Sequence, residues 1–202
     1  MNDWKGCHSC AKVQNGVSTD KTHKRDKDDF YATDPIALWR LAQKFEIPKN
    51  IWEPCCGLGH LSKWLLGEGH NVYSSDLINR GFGVGGIDFF TTDKLRGKGR
   101  TTEDYAILTN PPFRYIEQFI LHSLDLLNDG QKLIVFAKTT FIEGVGRYEK
   151  IFKNTPPDAM YQFTKRVLCG MNGNFDYASS AVSYAWYVWI KGRYEQTKLI
   201  WI

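Results

Sequence analysis

The 202 residues include 43% apolar and 24% charged side chains, enough for one α/β domain with a full core and too few for two domains of ordinary size. No apolar run approaches the roughly 18 residues of a membrane span, and Met1-Asn2-Asp3-Trp4-Lys5 offers no signal core, so the expected compartment is the cytoplasm. A net charge of +4 beside 14% aromatic residues is far from a histone-like excess, yet suits a partner that is both anionic and stackable.

In chain order, residues 1–29 are polar and aperiodic and read as a flexible arm ahead of a domain over 30–202. Cys7, Cys10 and His23 raise zinc, but no second ligand pair stands at a structural spacing, so reduced thiols are preferred and no metal is expected. Five cysteines, two of them adjacent at Cys55-Cys56, do not make a disulfide framework. Asp34 caps and Pro35 opens a helix whose apolar face is Ile36, Leu38, Trp39, Leu41 and Ala42. Strand-like stretches follow at Asn50–Glu53, 71–75, weakly at 85–87, and Tyr105–Thr109. Between and after them, Leu61, Trp64 and Leu65, then Ile116, Phe119, Ile120, Leu124 and Leu127, recur at helical steps. The continuous apolar run 132–137 suits a strand buried on both faces. At the end, a strand over 160–169, a turn over 170–174 and a strand over 180–191 lack an intervening helix and predict antiparallel pairing. The expected fold is α/β, a Rossmann-like doubly wound, mostly parallel seven-stranded sheet with an antiparallel C-terminal strand.

Glu53-Pro54-Cys55-Cys56-Gly57-Leu58-Gly59-His60 joins a strand to a helix, where glycines permit a tight turn and close approach of a ligand. Ser62 stands where a dinucleotide fingerprint wants its third glycine, and Glu53 where that fingerprint is apolar, so a dinucleotide is disfavoured. A carboxylate there suits a cationic ligand such as S-adenosylmethionine. Asp76, 19 residues after Gly57, is placed to accept from ribose hydroxyls or to cap a helix. Asp88, with Phe89 and Phe90, is placed to hold an adenine or to form a turn.

Asn110-Pro111-Pro112-Phe113 directly follows a strand and so lies at the carboxyl edge of the sheet. An exocyclic amine is a poor nucleophile until its lone pair leaves conjugation with the ring. The Asn110 side-chain carbonyl and the Pro111 backbone carbonyl can each take one of its N–H groups, while the prolines stiffen the loop. Phe113 would stack on an extruded base. Phe163, with Lys165 and Arg166 beside it, is a candidate for holding that base or its phosphates, against core packing for Phe163. The loop from Phe141 to Arg147 contains glycines that would permit closure over substrate. Basic clusters at 21–27, 96–100 and 165–166 suit phosphates or plain surface.

From residue 30 to 192 the chain resembles class I amino-methyltransferases, in particular the small adenine-N6 DNA methylases of phages and prophages. The resemblance implies S-adenosyl-L-methionine held by Phe30, Tyr31, Thr33, Glu53, Cys55, Gly57, Gly59, Asp76, Asp88, Phe89 and Asn110. It implies a catalytic loop of Asn110, Pro111, Pro112 and Phe113, DNA as partner, and a bacterial or phage-infected cell as setting. No stretch of these 202 residues is expected to form the large target-recognition domain usual in that family. Asn-Pro-Pro also occurs in enzymes that methylate RNA amines or protein glutamine, and a catalytically idle nucleic-acid-binding module is the reading from another class.

Overall fold

A computed structural model describes residues 30–171, 175 and 182–202. The expected arm, with Cys7, Cys10 and His23, and most of the 170–174 turn lie outside the described residues. The strands are β1 (Tyr31–Thr33), β2 (Asn50–Glu53), β3 (Asn71–Ser74), β4 (Tyr105–Thr109), β5 (Lys132–Lys138), β6 (Ala159–Gln162), β7 (Cys169–Met171), β8 (Tyr184–Ile190) and β9 (Lys198–Trp201). The longer helices are α1 (Ile36–Ala42), α2 (His60–Gly67) and α3 (Ile116–Leu126).

Seven strands share one sheet in the order β3-β2-β4-β5-β8-β6-β9, while β1 and β7 pair separately. Within the large sheet β8 runs antiparallel to β5 and β6, and the other neighbours are parallel. This is the Rossmann-like, mostly parallel sheet that the strand–helix alternation predicts. Both of its faces are covered. Trp52, Ile107, Val135 and Tyr187 point into one core under α3, and Ile51, Leu108, Phe136 and Trp186 into another under α1 and α2. Strand side chains alternate between faces, so β8 divides its aromatics between the two cores. Tyr184, Trp186, Tyr187 and Trp189 are all buried. Buried indoles need acceptors, and Trp186 Nε1 donates to the Ala37 carbonyl while Trp189 Nε1 donates to that of Thr155.

Four details differ from the sequence reading. The weak strand at 85–87 does not form: the glycine-rich stretch from Gly81 to Gly86 folds back on the end of β3, with Val84 N–H donating to the Ser74 carbonyl and Asp76 N–H to the Val84 carbonyl. Glycines weaken a strand, and the residues on either side of this stretch, Arg80 and Ile87, instead wall a cavity. The seventh place in the sheet is taken by β9, whose exposed Leu199 and Trp201 gave no alternating signal. The stretch 160–169 is two strands, β6 in the large sheet and the start of β7, which pairs with β1 at Thr33↔Cys169. In α1, Ala37, Leu38 and Leu41 are buried while Ile36 and Trp39 are exposed, so its inward face is rotated from the predicted one.

Candidate active site

The strand order reverses between β2 and β4, and in open α/β sheets ligands bind outside the carboxyl ends of strands at such a switch point. There lies a cavity of about 540 Å³, within the range of small-molecule sites. Segments that follow β2, β3 and β4 contribute Glu53, Cys55, Asp76 and the Asn110-Pro111-Pro112-Phe113 loop to its wall, and Phe30, Tyr31 and Thr33 complete it. Asp88 and Phe89 line it as well. These groups come from segments spread between Phe30 and Phe113 in the chain; the parallel sheet collects them at one edge.

The glycine turn acts through shape. Gly57 and Gly59 have φ of +54° and +78°, a region that side-chain-bearing residues avoid. A Cβ at Gly57 would overlap the Phe30 ring and one at Gly59 the Phe82 ring. Neither glycine lines the cavity, whose wall here is Glu53 to Cys56 together with His60 and Leu61. The close approach expected for a ligand is therefore made by the chain's own aromatic rings. Gly57 N–H donates to Asp76 Oδ2 at 2.8 Å, and Ile78 N–H to Asp76 Oδ1 at 2.9 Å. Each carboxylate oxygen keeps a second lone pair. Asp88 caps the short turn Phe89–Thr91 by accepting from Phe90 N–H at 3.0 Å, so the turn-forming reading holds at a residue that also lines the cavity. Phe89 is a core residue, stacked on Phe119 at 4.4 Å.

Glu53 is 2% exposed. Burial pushes its carboxyl up to about 8, opposed by hydrogen bonds from Ser62 and aided by the charge of Asp76. The Ser62 hydroxyl bonds Glu53 Oε2 and lies 2.6 Å from Ser74 Oγ. Ser62, read from sequence only as a missing glycine, is thus the residue that holds the buried acid. Burial, with Asp76 adding, pushes the Cys55 thiol well up, and burial with Glu53 beside it pushes Cys56 to about 12. Both thiols stay protonated at neutral pH and offer no thiolate nucleophile. Burial and then Lys63 lower His60, which favours its neutral ring.

Asn110 is fixed from outside its own loop. Its Nδ2 donates to the Tyr31 carbonyl at 2.6 Å and lies 3.7 Å from Cys169 Sγ, tying it to the β1–β7 pair. That orientation leaves Asn110 Oδ1 buried with no hydrogen-bond partner; Thr33 Oγ1, in a side chain only 2% exposed, is likewise unpartnered. Buried polar atoms are seldom left unpaired without a reason, and both residues line the cavity. Phe113 and Tyr31, also in the wall, have near-parallel rings at 22° with centroids 6.5 Å apart, wider than the stacked Phe89–Phe119 pair. The Lys138 ammonium lies 5.4 Å from the Phe113 ring.

Phe163 is 5% exposed and packs in the α1–α2 core near Phe136. It does not line the cavity, nor do the exposed Lys165 and Arg166; core packing is the role the structure gives Phe163. Residues that sequence reasoning left out of the wall include Leu77, Ile78, Arg80 and Ile87 on either side of the glycine-rich stretch, and Arg114 and Tyr115 after Phe113. Leu77 and Ile78 directly follow Asp76, a signal that was present but carried no periodicity. Among the described residues no cluster of metal-ligating side chains occurs, and no helix is long and apolar enough to cross a membrane.

No protein-family model and no curated protein matches the chain. Solved structures do. A protein from Listeria monocytogenes described as a class I S-adenosylmethionine-dependent methyltransferase superposes with a TM-score of 0.56 at 10% identity, over 96% of this chain and 71% of that one. A protein from Pyrococcus horikoshii described as an RNA methyltransferase gives 0.53 at 15% identity, over 90% and 98%. The modification subunit of a type I restriction enzyme from Vibrio vulnificus YJ016 gives 0.50 at 10% identity, over 94% of this chain and 52% of the subunit. The chain has the Rossmann-like fold of class I S-adenosylmethionine-dependent methyltransferases.

Proposed function

We propose that this chain transfers a methyl group from S-adenosyl-L-methionine to the exocyclic N6 amine of adenine in DNA. The observation that carries the reading is the Asn110 amide. With Nδ2 committed to the Tyr31 carbonyl, a buried acceptor without a donor remains in the loop that walls the cavity. An amine N–H is the donor that fits it.

The residues present also fit the cofactor. Thr33 Oγ1 is an unpartnered hydroxyl for a carboxylate, Asp76 retains acceptor capacity for ribose hydroxyls, and Glu53 is a buried acid that a cation would ionise. When bound, S-adenosylmethionine supplies a methyl group on a positively charged sulfur. Asn110 Oδ1 and the Pro111 carbonyl accept the two N–H groups of the amine and draw its lone pair out of the ring. Phe113 stacks on the base plane. Alignment alone can account for on the order of 7–11 kcal/mol of the barrier, so a strong base is not required. Protonated thiols at Cys55 and Cys56 argue for direct attack by the amine over a covalent enzyme intermediate.

DNA is favoured over RNA and protein glutamine by the overall sequence resemblance and by the restriction-modification subunit among the fold neighbours. The RNA methyltransferase neighbour keeps RNA as the competing substrate. Incubation with tritiated methyl donor and DNA, RNA or protein, followed by nuclease or protease digestion, tests the ranking. Label in N6-methyladenine from DNA is expected; label confined to RNA or protein would reverse it. Calorimetry with the cofactor tests the idle-module alternative, which predicts no binding at millimolar concentration.

Phe113→Ala is expected to raise the KM for DNA about tenfold, since base–aromatic stacking is worth about 1–3 kcal/mol. Steady-state kinetics measures this, and cofactor affinity by calorimetry should stay within about twofold.

A further inference from the structure

The segment after β5 has a use that the cofactor and amine contacts leave unassigned. It comprises a tight turn, Thr139–Ile142, a break at Gly144 with φ of +112°, and a helical turn, Val145–Arg147, running into the wider turn Tyr148–Phe152. Val145 is 81% exposed, the highest value among the exposed large apolar residues described, with Ile142 at 48% and Tyr148 at 53%. A Cβ at Gly144 or Gly146 would meet nothing within 4 Å, so the tip stands clear of the body.

The base of this finger is held firmly. Phe141 and Ile151 are buried in the α3 core. Arg147 Nη1 donates to the carbonyls of Thr140, Phe141 and Glu143 at 3.1–3.3 Å, and its Nε to Glu117 Oε1 at 3.3 Å. Lys150 reaches the other Glu117 oxygen at 3.3 Å. Glu117 opens α3 next to the cavity-lining Gln118. At its other end the finger starts directly after Lys138, the cation near the Phe113 ring. The structure thus plants a stiff apolar tip between two elements that flank the candidate catalytic loop.

An exposed β-branched aliphatic at a glycine-flanked tip gains nothing from burial where it stands, and closure over the cavity would call for a hinge, whereas Arg147 ties the turn down. Extruding a base from a duplex leaves an unstacked gap, and apolar wedges fill such gaps in protein–DNA complexes. We propose that Val145 is a wedge that enters the base stack of double-stranded DNA where the target adenine leaves it. This inference rests on the adenine-N6 reading and narrows its substrate to the duplex. Lys138 and Lys150 stand on either side of the tip in the chain, the first beside the Phe113 ring and the second paired with Glu117.

The test compares unmethylated genomic DNA in native and heat-denatured form as methyl acceptor for the wild type, Val145→Ala and Val145→Ile. Val145→Ala is expected to lower kcat/KM on native DNA about tenfold and on denatured DNA less than twofold, because only the duplex needs an unstacking step. Val145→Ile is expected to restore the native rate. Cofactor affinity and melting temperature should not move. Equal losses on both forms, or none on native DNA, would overturn the wedge while leaving adenine methylation standing. A wild-type chain that methylates neither form would overturn both.

Discussion

Asn110→Ala is expected to bind S-adenosylmethionine with affinity within about threefold of the wild type and to lose methyl transfer by about 10²–10³-fold, the size of effect seen when one transition-state hydrogen-bonding partner is removed. The substitution also deletes the bond from Nδ2 to the Tyr31 carbonyl, worth about 0.5–1.5 kcal/mol, so a small drop in melting temperature should accompany it. Calorimetry, single-turnover kinetics and thermal melting separate the three effects. If transfer survives at more than a tenth of the wild-type rate, the orphan oxygen is not the amine's acceptor. If cofactor binding fails together with transfer, Asn110 serves the cofactor and the amine has another partner.

Affinity for the cofactor is expected to rise with pH between 6 and 8, by up to tenfold per unit. Glu53 in the free chain titrates near 8 because burial disfavours its charge, and a cation seated beside it favours the ionised form. Binding below pH 8 therefore releases a proton, which calorimetry in two buffers of different ionisation enthalpy detects directly. The same group gives the free chain a pH-dependent stability of opposite sense. Its folded pKa lies above the ordinary value of 4.5, so its contribution is complete below about 4.5 and is lost as pH rises through about 8. The slope is up to about 1.4 kcal/mol per unit. Melting temperatures of the ligand-free protein should fall from pH 6 to 9, and Glu53→Gln should flatten both profiles. A wild-type profile as flat as that of Glu53→Gln would mean that the acid is already ionised in the free chain and compensated elsewhere.

These two residues differ in how they came to notice. Glu53 and Asn110 both end a strand with an apolar run before them, so their place at the sheet's carboxyl edge follows from periodicity and loop chemistry alone. Their states do not. The Glu53 titration depends on Ser62 and Ser74, and the Asn110 orientation depends on Tyr31, 79 residues earlier in the chain. Phe163 shows the reverse: its basic neighbours suggest a substrate contact, yet its position under the sheet makes it core.

The sequence by itself determined the alternation of strands and helices, the antiparallel β8, the turn at Gly57 and Gly59, and an asparagine–proline loop at a strand end, because each is written in local spacing and local backbone preference. Only the tertiary structure decided that β9 takes the seventh place while the residues flanking the glycine-rich stretch become a wall. It also decided that aromatic rings cover the glycines, that an amide oxygen is left without a partner, and that Val145 stands out beside the loop. Those outcomes depend on which distant segments meet across the sheet edge, and burial and pairing between residues far apart in the chain leave no period to read.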